Sequence, residues 1–390
     1  MTEQQASDSQ SMKPLAGITV IDMSRILAGP WAGQVLADLG ATVLKIERPE
    51  VGDDTRHWGP PYLKDRDGND TKDAAYFFSA NRGKQSLCLD ITQPEGQQKI
   101  RELVANADVL IENYKVGGLK KYALDYESLK AVNPALVYCS ITGFGQTGPY
   151  AKRAGYDFMI QAMGGLMSIT GEPDSAGGMP TKVGVAVTDI FTGLYSVIGI
   201  QAALHERQRT GLGKHVDMAL LDCSAAILAN QASNYLIGDV VPGRMGNAHP
   251  NIVPYQVFAS ADGHLIIAVG NDGQFANLCQ VLGQPELAEQ VEYQTNAARV
   301  GSREVLCNLL QETLSTRTTA EWLQALEAVN VPCGPINTVD QVFEDPQILA
   351  RDMLQTVEHP VAGEIKLAAS PIQFVGEKKG EVSAPPVLGQ

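Results

Sequence analysis

An α/β fold built on a doubly wound parallel sheet is predicted by three features of this 390-residue chain. Short apolar runs alternate with helix-like stretches from Gly17 to Thr142. The first, GITVIDMS, is a short apolar run ending in polar residues, as in a buried parallel strand. From Tyr255 the texture changes to a hairpin followed by helices, which marks a second, smaller α+β domain.

The elements follow in order. GITVIDMS (Gly17 to Ser24) reads as the first strand. Pro30 opens the helix WAGQVLADLG and Gly40 lies just past its end, the positions that start and stop helices. ATVLKIE completes a βαβ unit. SLCLD, a helix from Glu95 to Asn106, ADVLIEN, a further helix and ALVYCSIT continue the alternation. A long helix is predicted over Ile190 to Arg207. YQVFAS and HLIIAV flank Asp262-Gly263, a hairpin turn. Helical patterns run on to Ala328, VPCGPINTVD is a loop, and EIKLAASPIQF is strand-like again. The expected organisation is a leader over 1–12, a large domain from 13–210 and 335–390, a linker over 211–230 and a small domain over 231–330. The large domain's sheet is expected to be Rossmann-like and drawn from both its N- and C-terminal parts.

Composition narrows the function. Thirty basic residues against 44 acidic ones give a net charge of −14, which disfavours nucleic acid as a partner. The six cysteines show no C-x-x-C spacing, so no metal site is expected and the thiols read as reduced. The polar N-terminus is not a signal peptide, and the apolar stretch from Ile190 to Leu204 reads as too short to span a bilayer. No membrane partner and a cytoplasmic location are expected.

One motif is a decoy. Gly143 to Gly148, GFGQTG, has the spacing G-x-G-x-x-G of a dinucleotide turn, which belongs between the first strand and a helix. Here PYAKRAGYD follows instead, and the first strand-to-helix turn, SRILAGP, has one glycine. The glycines are expected to serve unusual backbone angles in a loop.

Several long stretches, in order, carry a resemblance. They are LAGPWAGQVLADLGATVLKIERPEVGDDTR, ANRGKQSLCLD, ADVLIENYKVGGL, ITGFGQTGPYAKRAGYD, GVAVTDIFTGLYSVIGIQAALHERQRTGLGKHVDMALLD and GNAHPNIVPYQVFASADGHLIIAVGN. From Lys13 onward the chain resembles the class III CoA-transferases, whose fold α-methylacyl-CoA racemases share. The resemblance implies an enzyme with no permanent cofactor. CoA passes from an acyl-CoA, through an aspartyl anhydride and an aspartyl-CoA thioester, to a carboxylic acid. It also implies a homodimer of interlocked subunits.

The catalytic aspartate of the resemblance falls on Asp189, in VTDIFTG. Read locally, Asp189 is either an N-cap or a carboxylate kept ionised by the positive end of the helix dipole, with Thr188 as the other possible cap. The resemblance places CoA along the ends of the first strands. Its contacts would be Arg25, Ile26 and Ala28 after strand one, Arg48 after strand two, Leu89 closing SLCLD, and Asn113, Tyr114 and Lys121 after strand four. Racemases of this fold carry a histidine where Gly155-Tyr156-Asp157 stands. Tyrosine, with an ordinary pKa near 10, is a poor base for an α-proton, so transfer is favoured over racemisation. Tyr156, Gly246 and Asn247 are expected on the substrate side.

Two departures from the pattern matter. The loop GRMGNAHPNIVPY has only Gly243 and Gly246 where formyl-CoA transferases have a glycine run, and GGLMSITGEPD resembles members that use succinyl-CoA and small dicarboxylates. Family members also usually continue past the last Leu-Gly with a helix, whereas this sequence stops at Gln390. The alternatives to transfer are a racemase-like isomerase and a non-catalytic CoA binder.

Overall fold

The computed structural model describes residues 13–390, so the expected leader lies outside the described residues. Six strands form a wholly parallel sheet: Thr19–Asp22, Thr42–Glu47, Lys84–Cys88, Val109–Glu112, Val137–Thr142 and His215–Ala219. Numbered along the chain, they lie in the order third, second, first, fourth, fifth, sixth. This is the doubly wound order, with its switch point between strands one and four. Val20, Ile21, Val109, Leu110, Val137 and Cys139 are fully buried, which is why these strands read as unbroken apolar runs.

The chain forms two compact units. One comprises residues up to Leu166, Val183–Asp239 and Asp345–Gln390; the other comprises Met167–Lys182 and Val240–Glu344. The stretch 211–230 is not the linker expected from sequence. It holds the sixth strand, His215–Ala219, and a helix, Leu220–Ala226, both in the first unit. As an edge strand it alternates polar with apolar residues, which hides it beside the buried runs. All six strands come from before residue 220. The C-terminal part adds only a separate hairpin, Leu354–His359 with Gly363–Ala368, and a tail. That tail occupies the edge of the third strand, where Gly83 donates to the Ser383 carbonyl and Ser86 to that of Gln390.

The second unit contains the expected hairpin, Tyr255–Ala259 paired antiparallel with His264–Ala268, and a third strand, Cys333–Pro335. Its core gathers Phe258, Leu265, Phe275, Leu310 and Trp322.

The GFGQTG loop is followed by no helix until Asp157–Met163. Gly145 and Gly148 have φ of +82° and +87°, and a Cβ on Gly143 would sit 2.6 Å from the Gly155 Cα. The glycines serve backbone geometry.

Candidate active site

Helices that follow or precede parallel strands run back against them, so their N-termini gather at the carboxyl edge of the sheet. Two helices matter here, Ala28–Asp38 and Val187–Thr210. They approach closely at Gly193, where a Cβ would lie 2.7 Å from the Ala28 carbonyl oxygen. The second helix has 24 residues, because 187–189 and 208–210 extend it beyond the predicted ends. By length and composition alone it is apolar enough to cross a membrane, contrary to the sequence reading. It packs against the sheet and buries Thr188, Asp189, Thr192 and Ser196.

Asp189 is the third residue of this helix, inside its first turn rather than before it, and is 9% exposed. Neither it nor Thr188 is the cap. One carboxylate oxygen of Asp157 accepts from the Thr188 N–H (2.9 Å), the Thr188 hydroxyl and the Asp189 N–H (3.3 Å). The other Asp157 oxygen accepts from the Gln161 amide (2.7 Å). The Asp189 carboxylate is thereby left without a hydrogen-bond or salt-bridge partner among the described residues. Burial, and then the charge of Asp157, push its pKa up to about 7. The expected lowering by the helix dipole is outweighed, since the dipole offers a fraction of a charge while burial removes the water that would solvate a whole one. A carboxyl of this kind is ionised in part at neutral pH and poorly solvated when ionised, which suits a nucleophile.

The same edge carries a cationic crevice at the switch point. Arg25, Arg48, Leu89 and Tyr114 line it, together with Lys45, Glu47 and Asp53. Arg25 and Arg48 share one carboxylate, Asp54, at 2.8 and 3.1 Å. The Arg25 guanidinium lies 5.8 Å from the Tyr114 ring centre. Asn113, expected as a CoA contact, spends its side chain on the backbone of Arg25. Its Oδ1 accepts from the Arg25 N–H (3.0 Å) and its Nδ2 donates to the Arg25 carbonyl (2.7 Å). Ile26 stands at φ +74°, costly for a β-branched residue, and the Asp53 carboxylate accepts its N–H at 3.3 Å. Ala28 is buried at the start of its helix.

Lys121 is exposed outside the crevice, with its ammonium 4.6 Å from the Tyr122 ring centre. Tyr156 is 63% exposed at the start of Asp157–Met163. Gly246 and Asn247 belong to the second unit. There Gly246 stands at φ +59°, donates to the Gly171 carbonyl and abuts Glu172, while Asn247 is exposed.

Sequence reasoning passed over several residues that shape this edge. Asp157 was read only as the neighbour of Tyr156. Tyr76 lies within electrostatic reach of Asp189, Asp157 and Asp53, all of which add to the rise that burial gives its phenol pKa. Beneath the crevice, Lys45 pairs with Asp53, Lys84 with Asp22 and Arg56 with Glu47, each at 2.8 Å. Burial opposes the charge on Asp53, but Lys45 and the Thr55 hydrogen bonds hold its pKa down to about 2. A separate cleft at the opposite edge, lined by Lys13, Asp38, Ser370 and Lys379, contains none of the predicted site residues.

Comparison with known proteins identifies the family. The model of CoA-transferase family III matches residues 15–390. A succinate–glutarate CoA-transferase of Agrobacterium fabrum is 55% identical over 345 residues, 88% of this chain and 85% of that one. The mouse succinyl-CoA:glutarate CoA-transferase is 44% identical over 384 residues, 98% of this chain and 86% of that one. Among solved structures, a CAIB/BAIF family protein of Brucella suis superposes with a TM-score of 0.83 at 54% identity, covering 97% of both chains. A Mycobacterium tuberculosis protein does so with 0.82 at 29% identity, again over 97% of both. The family match across nearly the whole chain, relatives 44–55% identical over most of its length and a solved structure 54% identical over 97% of both chains lead to one assignment: this protein belongs to CoA-transferase family III.

Proposed function

We propose that the chain moves CoA from succinyl-CoA to a small dicarboxylic acid of glutarate's kind, with Asp189 as the covalent nucleophile. The observation that carries this reading is the buried, unpartnered Asp189 carboxylate on the edge that also bears the Arg25 and Arg48 crevice. The names of the relatives supply the substrate class.

In this mechanism Asp189, as carboxylate, attacks the thioester carbonyl carbon. The C–S bond breaks, CoA leaves as thiolate, and Asp189 holds a mixed anhydride with succinate. The thiolate attacks the aspartyl carbonyl, succinate departs, and Asp189 becomes a CoA thioester. The acceptor carboxylate attacks that thioester and forms a second anhydride, and the thiolate then takes the acceptor's acyl group and frees Asp189. Covalent bonds are exchanged throughout between carboxylates and one thiolate, so no oxidant, metal or net proton transfer is needed. Arg25 and Arg48 hold phosphate oxygens of CoA, and Tyr114 shields the adenine or pantetheine arm.

The test is incubation with succinyl-CoA alone, trapping with hydroxylamine or borohydride, and mass analysis of the peptide containing Asp189. A modified Asp189 is expected, and once glutarate is added, transfer of CoA to glutarate with release of succinate. Transfer with Asp189 unmodified and dispensable would overturn the assignment.

The homodimer belongs to the same proposal, and its cytoplasmic location remains the reading from the sequence. Phe191, Leu194, Tyr195 and Ile198 recur at helical spacing along one side of the long helix, 37–63% exposed. An apolar stripe of that size marks a protein interface, and the resemblance names a second copy as its occupant. Light scattering should give twice the chain mass, and Ile198→Glu should weaken that association.

A further inference from the structure

Asp157 and Asp189 are 32 residues apart in sequence, yet Asp157 reaches into the first turn of the helix that carries Asp189. We propose that Asp157 is a positioning residue for the nucleophile. Its carboxylate closes the helix end in place of a local cap, and its negative charge sets the pH at which Asp189 becomes ionised. This rests on the reading of Asp189 as the nucleophile.

The geometry has two parts. First, the donors at a helix end need acceptors, and a helix whose own residues supply them spends a side chain of its first turn. Here Ala186 precedes the helix and has no capping group. Asp157 meets the Thr188 and Asp189 N–H groups and the Thr188 hydroxyl with one oxygen, and is itself held by Gln161. Gln161 is fixed in turn, donating to the Val185 carbonyl and accepting from the Val183 N–H, so both ends of the turn that leads into the helix are tied to it. Asp189 is therefore spared for chemistry.

Second, the charges facing Asp189 are few. From Asp157–Met163 comes Asp157, and from Ala75–Phe78 comes the neutral phenol of Tyr76. Further along the long helix, Cys223 of Leu220–Ala226 meets Thr192, and Cys139 of the fifth strand meets Ser196. His215 and Asp217 lie on the sixth strand, which packs beside the helix farther from its N-terminus, and the packed helix Ala28–Asp38 contributes no charge acting on Asp189. Among the described residues, the one formal charge acting on Asp189 is a like charge. It disfavours the carboxylate and moves ionisation toward neutrality.

The test is the pH dependence of kcat/KM for succinyl-CoA in the wild type and in Asp157→Asn. The asparagine oxygen still accepts hydrogen bonds, but the charge is gone. The acid limb of the profile should move down by about one pH unit, so that near pH 5 the variant retains severalfold more of its own maximal rate than the wild type does. Thr188→Val, which removes a capping donor and no charge, should leave the limb in place. If Asp157→Asn does not fold, Asp157→Ser offers a shorter neutral acceptor for the same measurement. A folded neutral variant whose limb stays put, or moves up, overturns the inference. Loss of trapping at Asp189 in the wild type would instead overturn the nucleophile itself, so the two failures are distinguishable.

Discussion

Asp53 and Asp189 are both buried carboxylates on one edge of one sheet, at 1% and 9% exposure. The first is held at a pKa of about 2 and the second pushed up to about 7. Burial penalises both. What differs is the neighbour, since Asp53 has Lys45 at 2.8 Å and Asp189 has Asp157. The crevice floor therefore behaves as fixed structure, with its charges matched in pairs. The helix end carries a carboxylate whose charge is available for bonding. The difference between the two carboxylates follows from a counter-charge that one has and the other lacks.

The largest expected effect comes from removing the unmatched carboxylate. Asp189→Ala should fold and lose turnover by on the order of 10³-fold or more, since no second nucleophile stands in its place. Initial rates of succinyl-CoA consumption, with circular dichroism as the control for folding, measure this. Next is the matched side. Lys45→Met strands Asp53 and exposes Asp22 to an unbalanced charge, because Lys45 also acts on Asp22. Breaking such a buried pair should cost about 3–5 kcal/mol in urea unfolding. If Lys45→Met were neutral while Asp189→Ala was inactive, the contrast between the two regions would lose its structural half.

A third test reads the contrast through pH. The Asp189 pKa is raised on folding, from about 3.9 in the unfolded chain to about 7. Between those values the folded state holds a proton that the unfolded state has released. Stability from this group is fully present below about pH 4 and is lost as pH rises through about 7. Asp189→Asn should therefore stabilise the protein at pH 8 by a few kcal/mol, at most about 4, relative to any difference at pH 4. Denaturant unfolding of both proteins at the two pH values decides it. A difference independent of pH would mean that the carboxyl is not perturbed.

Much of this was legible in the sequence where the signal is local. Five of the six strands of the sheet were legible, most clearly the central ones, whose mainly apolar runs are buried. HVDMA, His215–Ala219, was not, because it is partly exposed at the edge and carries His215 and Asp217. The resemblance pointed to Asp189, but the sign of its pKa shift was not legible. The dipole of its own helix is visible in sequence, whereas burial and a carboxylate 32 residues away are properties of packing. Asn113 likewise sat at the right turn, but its two hydrogen bonds to Arg25 became visible only in three dimensions. The second unit's stretch Met167–Lys182 was unreadable as such because it is cut off from Val240–Glu344 by the long helix and the sixth strand.

The smallest effect belongs to the rim. Arg48 is 53% exposed, and its one ion pair, with Asp54, is also shared by Arg25. Screened by solvent, that pair contributes little to folding, so Arg48→Ala should leave unfolding within about 0.5 kcal/mol of wild type. A CoA phosphate meeting the same guanidinium can displace Asp54 at little cost, because Arg25 still pairs with that carboxylate. The KM for succinyl-CoA should rise about five- to tenfold with kcat nearly unchanged, as expected when an interaction is equal in ground and transition states. The difference between wild type and variant should shrink as salt is raised, because ions screen the charges at the exposed rim and leave the buried pairs beneath it alone. A change confined to kcat would move Arg48 from the binding rim to the reacting centre, and would place the boundary between the two regions on the other side of this residue.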